Sequence, residues 1–553
     1  MLPGSRLPAV AKYKAREFIV IDAETDPFKA GRIPQPFIWG CYHGSESSYY
    51  EFPTKAELLA HLSDYRAIVY AHNGGKFDFH YLRDDIDSDR PIMVINGRLA
   101  SFQIGGCEFR DSMNILVNPL RAFAKEQIDY SKLEAAVRAQ HMPEICAYLK
   151  SDCVNLYNTI AQYFAEYGRS MTQAGAAMRY WKKTYKVPMT PQTAGQSLRY
   201  RDYYFGGRVE CFKTGHARET FSVVDINSAY PRAMLEKHPI SPDGIREDHL
   251  PPAGQMSHCF VKFLGVADGC LPFKEESGKL NFPNDGQPRE YAVSGWELEA
   301  ALELNRVRIL RVTHVRRFEQ MVDFADYVLN FWEKRKRAKA AGDKASDVFA
   351  KLFLNSLYGK FAADPEKYRE FVLADDDSLL RWTAQQFEVA LKWGERHLCA
   401  RPLPESKHHY YNVATAASIT GYVRAMLQKG MARCEGVLYC DTDSIAARDV
   451  SRLPLGLELG QWKVEMTGDE YAIAAKKTYA FHKSREWLAA HDQSDGVGAW
   501  KVASKGVRLS ADEIIECATG HAVTSHPEVP TYSIFKTGPA FVPRVIKRTE
   551  LNA

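Results

Sequence analysis

Tyr439-Cys440-Asp441-Thr442-Asp443-Ser444 decides how this chain is read. Apolar residues flank it, Val437-Leu438 before and Ile445 after, so the stretch predicts a β-hairpin with carboxylates at its tip. Alone, an Asp-Thr-Asp turn is usually no more than a turn. Its weight comes from two segments that precede it. Phe221-Ser222-Val223-Val224 reads as a buried strand and leads into Asp225-Ile226-Asn227-Ser228-Ala229-Tyr230-Pro231. Asp225 is therefore expected at the rim of a sheet, where ligands usually bind. Lys351-Leu352-Phe353-Leu354-Asn355-Ser356-Leu357-Tyr358-Gly359 reads as helix, with Lys351, Asn355 and Tyr358 at i, i+4 and i+7 on one face.

These residue types suit nucleotidyl transfer. That reaction passes charge onto phosphate oxygens and a pyrophosphate leaving group, which two Mg²⁺ ions roughly 4 Å apart can stabilise. Mg²⁺ prefers carboxylate oxygens. Asp225 and Asp443 are the expected bridging ligands, the Ile226 carbonyl a further oxygen, and Lys351 a point charge for a triphosphate. Two ions per site are expected, with Mn²⁺ as a substitute.

A second set of acids lies near the N-terminus. Phe18-Ile19-Val20-Ile21 reads as a strand running into Asp22-Ala23-Glu24, whose two carboxylates point to one side because strand side chains repeat every two residues. Asn73-Gly74-Gly75-Lys76-Phe77-Asp78 places another acid after a glycine-rich turn, and Tyr148 and Asp152 lie one helical turn apart. Four acids and a tyrosine suit metal-assisted hydrolysis of a phosphodiester. A lone Asp-x-Glu is common, so the order of the three segments carries the reading.

In that order the segments resemble the motifs of family B DNA polymerases. The C-terminal set is similar to D-x-x-S-L-Y-P, K-x-x-x-N-S-x-Y-G and Y-x-D-T-D-S, departing only at Ala229, where Leu is common. The N-terminal set is similar to the three motifs of the family's 3′→5′ proofreading exonuclease. The resemblance implies a ribonuclease H-like exonuclease domain followed by a right-hand polymerase with an antiparallel palm sheet, an α/β and α+β multidomain chain. It implies that Asp441 joins Asp225 and Asp443 in catalysis. Tyr230 would exclude a 2′-hydroxyl, and Tyr358 and Asn355 would contact the incoming nucleotide. Thr442 and the K-x-Y pair Lys477 and Tyr479 would meet DNA at the primer terminus. In the exonuclease, Asp22, Glu24, Asp78 and Asp152 would bind or position metal and Tyr148 would orient water. Asn73, Phe77 and Ser112 would contact single-stranded DNA, and Lys132 would assist.

Detail favours the protein-primed branch, found in phages and linear mobile elements. The acids begin at Asp22, the chain is short at 553 residues, and Tyr204-Phe205-Gly206-Gly207 matches that branch's template-tracking Y-x-G-G linker. Tyr204, Gly206 and Gly207 are thus expected at DNA. The resemblance implies an exonuclease over 1–185, a linker over 186–212, and a first palm part over 213–321 with an insertion that holds a terminal protein. Fingers follow over 322–361, broken into two helices at Gly342-Asp343. A second palm part over 362–480 carries a β insertion for strand displacement, and a thumb and C-terminal region fill 481–553. Expected partners are primer–template DNA, deoxynucleoside triphosphates and a terminal protein primer. Extension of nucleic-acid primers alone, or DNA binding without polymerisation, are the alternatives.

Bulk properties exclude other classes. Composition is that of a globular protein, 45% hydrophobic and 25% charged, and no stretch approaches the apolar length of a bilayer span. Met1 to Arg16 lacks the apolar core of a signal peptide, so the cytoplasm, of the host if phage-encoded, is the expected location. Eleven cysteines without a CxxC pair argue against a zinc ribbon and a disulfide framework. A net charge of +4 neither demands nor excludes nucleic acid, since metal-binding acids offset basic surface in the sum.

Overall fold

The computed structural model describes residues 18–123, 127–252, 254–491 and 498–549, so the Met1 to Arg16 segment lies outside the described residues. The chain divides into two compact units: residues 1–172, 368–403 and 528–541, and residues 173–367, 404–527 and 542–553.

The first unit is built on a ten-stranded sheet. At its centre Phe18–Thr25 runs parallel to Ile68–Ala71, which runs parallel to Cys107–Asp111. Such strands are covered on both faces, which is why they read as apolar runs. Within Phe18–Thr25 every residue is buried except Asp22, which is half-buried. The helix Arg138–Tyr167 packs on this strand and on Pro36–Tyr42. A Cβ at Gly40 would meet Cys153 Sγ and Leu149 Cγ at 3.0 Å, so glycine lets helix and sheet approach closely there.

The second unit is centred on an eight-stranded sheet whose pairings are all antiparallel. Phe221–Ile226 lies between Ser444–Asp449 and Trp462–Ala475. The helix Val413–Met431, buried along almost its whole length, also belongs to this unit. A separate four-stranded sheet (Ile245–Glu247, Val307–Arg317, Cys259–Ala267, Arg289–Ser294) has its own core around Val261, Phe263, Tyr291 and Val315. Two helices, Ala325–Ala341 and Lys344–Phe361, pack together. They break at the expected place: Gly342 ends the first in a left-handed conformation (φ 70°), and the Asp343 side chain caps the second by accepting from Ser346 N.

The chain crosses between units at places that differ from the segmentation expected from sequence. Gln173–Tyr185, placed with the exonuclease up to residue 185, packs instead on Lys344–Phe361, where Trp181 meets Phe324 and Phe361. Residues 368–403, read as part of the second palm segment, belong to the first unit: Arg369–Ala374 pairs with Pro91–Ile95 and extends its sheet. Residues 528–541, read with the thumb, also belong to the first unit, where Tyr532 packs against Phe77 and Tyr81. Residues 368–403 bury a small cluster of their own around Val372, Trp382 and Phe387 while Phe371, Leu373, Trp393 and Leu398 join the core of the larger unit. No helix among the described residues is long and apolar enough to cross a membrane.

Candidate active sites

In the second unit the Asp-Thr-Asp stretch forms the expected hairpin. Glu435–Asp441 and Ser444–Asp449 pair antiparallel, and Asp225 lies opposite Ser444 on the adjoining strand. Ile226 N donates to Asp443 O at 2.8 Å, which locks the two carboxylate-bearing segments in register. Thr442 sits at φ 61° and Ser228 at φ 57°. Left-handed backbone at non-glycine residues is costly, and such residues persist where surrounding structure over-determines them. Thr442 is held by its N–H donating to Arg208 O.

Charge at this tip is strongly disfavoured. Burial first, then Asp443 and Glu465, push the Asp225 carboxyl up to about 7. Burial first, then Asp441, push Asp443 up to about 6. Acids that share a site and repel one another are suited to a cation. Asp441 is differently placed: both its oxygens accept from Lys477 Nζ, at 2.9 and 2.7 Å, and Lys477 N donates to the Tyr439 hydroxyl at 2.9 Å. Asp441 thus neutralises and orients Lys477, while Asp225 and Asp443 carry the unbalanced charge.

The Lys351 helix presents the expected face. Lys351 and Asn355 are exposed, while Phe353, Leu354 and Leu357 point inward. The Tyr358 ring stacks on Tyr230 at 4.2 Å with planes 4° apart, joining this helix to the segment after Asp225. Tyr479 stacks on Phe481 at 4.3 Å beside Tyr439.

In the first unit, carboxylate oxygens of Asp22, Glu24 and Asp152 all lie within 4.8 Å of one another, a separation that one or two divalent ions can bridge. Asp78 is buried but does not join this group of three. Burial and then Asp152 push the Tyr148 hydroxyl up, so it stays a proton donor.

A family description, DNA polymerase type B, organellar and viral, matches residues 125–390. The DNA-directed DNA polymerase of Enterobacteria phage PRD1 is 36% identical over 515 residues, covering 91% of this chain and 87% of that one. The chain belongs to the family B DNA polymerases of the phage type. The DNA polymerase of Streptococcus phage Cp-1 is 23% identical over 536 residues, covering 87% of each chain. The fold of this polymerase matches phi29 DNA polymerase complexed with primer-template DNA and incoming nucleotide substrates, with a TM-score of 0.73, 19% identity, and coverage of 97% of this chain and 100% of that one. The expected fold, an exonuclease domain followed by a right-hand polymerase, is the fold observed.

Four residues expected to serve the exonuclease have defined surroundings. Lys132 Nζ donates to both oxygens of Glu144, at 2.7 and 2.8 Å, in a part-exposed ion pair. Ser112 was expected at single-stranded DNA, but it is fully buried: its hydroxyl bonds His72 Nδ1 at 2.9 Å and donates to Ala71 O at 3.2 Å. It fixes the turn rather than offering a surface. Asn73 has φ 64°, and its Oδ1 accepts from Arg98, which also pairs with buried Asp111. Phe77 packs with exposed Phe28 at 5.5 Å, an aromatic surface of the kind on which bases stack.

Two residues that sequence patterns missed, Arg208 and Arg424, lie beside the hairpin and the Y-x-G-G loop. Arg208 supplies the carbonyl that holds Thr442. Arg424, on the helix Val413–Met431, donates through Nε to Glu297 Oε1 at 2.7 Å and through Nη1 to Phe205 O at 2.6 Å and Gly206 O at 2.9 Å. It therefore anchors the Tyr204-Phe205-Gly206-Gly207 loop. The signal was a basic residue in the middle of a mostly apolar and small-residue helix, with no indication of what it faces. Gly207 explains itself: a Cβ there would meet Thr442 Oγ1 at 2.6 Å and Thr442 Cβ at 2.9 Å. Gly207→Ala should therefore push the hairpin and lower primer extension by about 10- to 100-fold, as small misplacements of reacting groups do. Steady-state extension kinetics check this, with Gly195→Ala as the control because a Cβ there meets nothing within 4 Å.

Proposed function

We propose that this DNA-directed DNA polymerase extends a primer by two-metal nucleotidyl transfer at Asp225 and Asp443. It removes mispaired 3′ ends at Asp22, Glu24 and Asp152, and starts replication of a linear genome on a protein primer, with strand displacement. The observation that carries the first part is that Asp225 and the Asp443 turn are held together by one hydrogen-bonded register, with both carboxyls raised by burial and Asp225 raised further by Asp443. Donor set and charge fit a pair of Mg²⁺ ions, or Mn²⁺, held by Asp225, Asp443 and the Ile226 carbonyl. Bound there, such ions supply Lewis-acid stabilisation to the attacking and leaving oxygens. Asp22, Glu24 and Asp152 fit the same chemistry for hydrolysis.

The side chains do the rest. Lys351 and Asn355 face outward from their helix to meet the triphosphate. The Tyr230–Tyr358 stack forms a rigid floor under the sugar and base of the incoming nucleotide, and Tyr230 excludes a 2′-hydroxyl. Lys477, oriented by Asp441, and Tyr479 hold the primer terminus, with Thr442 beside them. Gly206 and Gly207 let template backbone pass close to the loop that Arg424 anchors. In the exonuclease, the protonated Tyr148 hydroxyl orients a water, Asp78 supports the metal carboxylates, and Asn73 and Phe77 receive the single-stranded end.

Protein priming draws its support from the Y-x-G-G loop and from the extra four-stranded sheet within 245–317, which lies where such enzymes carry the insertion that holds a terminal protein. The reaction would take place in the cytoplasm of a phage-infected host. The test is to incubate enzyme, origin DNA, a labelled dNTP and a candidate terminal protein. A covalent nucleotide–protein conjugate that requires Asp443 is expected. Extension of ordinary primers with no conjugate under any origin condition would leave nucleic-acid primers as the sole starting point for synthesis.

The pH response has a defined sign. Both palm carboxyls have folded values above those of free carboxyls, so they are fully ionised only above about 7. As pH falls through about 7 for Asp225 and about 6 for Asp443, protons compete with metal. The Mg²⁺ midpoint for extension should rise about tenfold or more between about pH 8 and about pH 6. Mg²⁺ titrations at fixed ionic strength measure it, and an unchanged midpoint would refute the assignment.

A further inference from the structure

Three side chains of the first unit converge away from its carboxylate group. Cys41 lies in the strand Pro36–Tyr42, His43 follows two residues on, and His61 sits in the last turn of the helix Lys55–Leu62. His43 Nε2 is 3.4 Å from Cys41 Sγ and 3.1 Å from His61 Nε2, and the three ligand atoms lie within 4.8 Å of one another. The thiol is fully buried and both imidazoles are half-buried. Rings of Tyr50 and Tyr65 pack on both histidines and Phe52 packs on His61, so the cluster is walled by aromatic side chains.

These separations are close to what a metal requires. Tetrahedral zinc with Zn–N of about 2.05 Å and Zn–S of about 2.3 Å holds nitrogens about 3.3 Å apart and nitrogen and sulfur about 3.5 Å apart. Hydrogen bonding accounts for the arrangement less completely. His43 Nε2 offers one proton or one lone pair, and two partners compete for it. A metal ion uses all three donor atoms at once. Thiol and imidazole also select a different ion from the oxygen donors of the catalytic groups.

We propose that Cys41, His43 and His61 form a structural binding site for a divalent transition metal of the zinc class, with the fourth position taken by water. Binding releases the Cys41 thiol proton to solvent, leaves both imidazoles neutral, and changes no oxidation state. Cys41 pairs in register with Ile21, next to Asp22 on the strand that also carries Glu24. A metal here would tie the helix Lys55–Leu62 to the sheet beside the carboxylate strand.

The test is a Co²⁺ titration of the full-length enzyme in excess Mg²⁺, followed by absorption. A thiolate-to-cobalt charge-transfer band in the near ultraviolet needs a sulfur ligand, which no carboxylate provides, and its loss in Cys41→Ser assigns that sulfur. The expected result is a band that saturates at one Co²⁺ per chain, is bleached by Zn²⁺ and is absent in Cys41→Ser. His61→Gln, at a half-exposed position, should weaken Co²⁺ affinity about tenfold or more. Primer extension by both variants shows that the chain has folded; if Cys41→Ser fails that check, His61→Gln carries the test alone. No sulfur band in the wild type, an unchanged band in Cys41→Ser, or unchanged affinity in His61→Gln would overturn the proposal.

Discussion

Asp443→Asn should reduce primer extension by about a thousandfold or more, the equivalent of about 4 kcal/mol of transition-state stabilisation. It should leave dNTP-free shortening of the same labelled primer intact. Asparagine keeps the shape of the hairpin tip, whose backbone is held by Arg208 O and by Ile226 N, but removes one of the two charges that make the site attractive to a cation. The cost should appear in kcat rather than in DNA binding, because the lost interaction is strongest when charge develops on the phosphate oxygens. Asp22→Ala is the reciprocal: shortening lost, extension kept, since Asp22 belongs to a separate carboxylate group in the other unit. Loss of both activities in either variant would mean that the two groups do not act as independent sites. No extension by the wild type on any nucleic-acid primer would instead point to a strict requirement for a protein primer.

Arg424→Leu is the second large effect. Arg424 and Glu297 are 3% and 1% exposed and form an ion pair at 2.7 Å. Removing the arginine strands a carboxylate in the interior, a loss of about 3–5 kcal/mol. Ser294, which donates to Glu297 Oε2 through both N and Oγ, offsets part of this. Arg424→Leu with Glu297→Leu removes the stranded charge and should recover most of the stability, since buried pairs replaced by apolar residues are often neutral. The double variant should still bind primer–template poorly, because nothing then holds the Phe205 and Gly206 carbonyls. Denaturant unfolding and the KM for DNA separate the two roles. Recovery of both together would show that Arg424 acts only on stability.

Much of the catalytic layout was legible because it is local. A strand that ends in an acid, a tight Asp-Thr-Asp and a helix with one polar face are fixed by spacings of two to seven residues, and the structure places Asp225 on a strand that pairs with the hairpin whose turn carries Asp443. Asp22, Glu24 and Asp152 also meet, although a long stretch of chain separates them, because order along the chain implied a common fold. Roles that depend on distant partners were not legible. The partners of Lys132 (Glu144) and of Ser112 (His72 and Ala71) are set by the fold and could not be read from their local contexts.

By itself the sequence determined the two sets of acids, the helical pair broken at Gly342-Asp343, and the family to which the chain belongs, since each is written in periodicity, caps and ordered motifs. Tertiary structure decided which unit receives residues 368–403 and 528–541, which of the hairpin acids is neutralised by Lys477, and what Arg424 and the Cys41, His43 and His61 cluster face. The physical reason is that burial, repulsion between carboxylates and the choice of an ion-pair partner depend on distances across the fold, which local spacing along a chain does not contain.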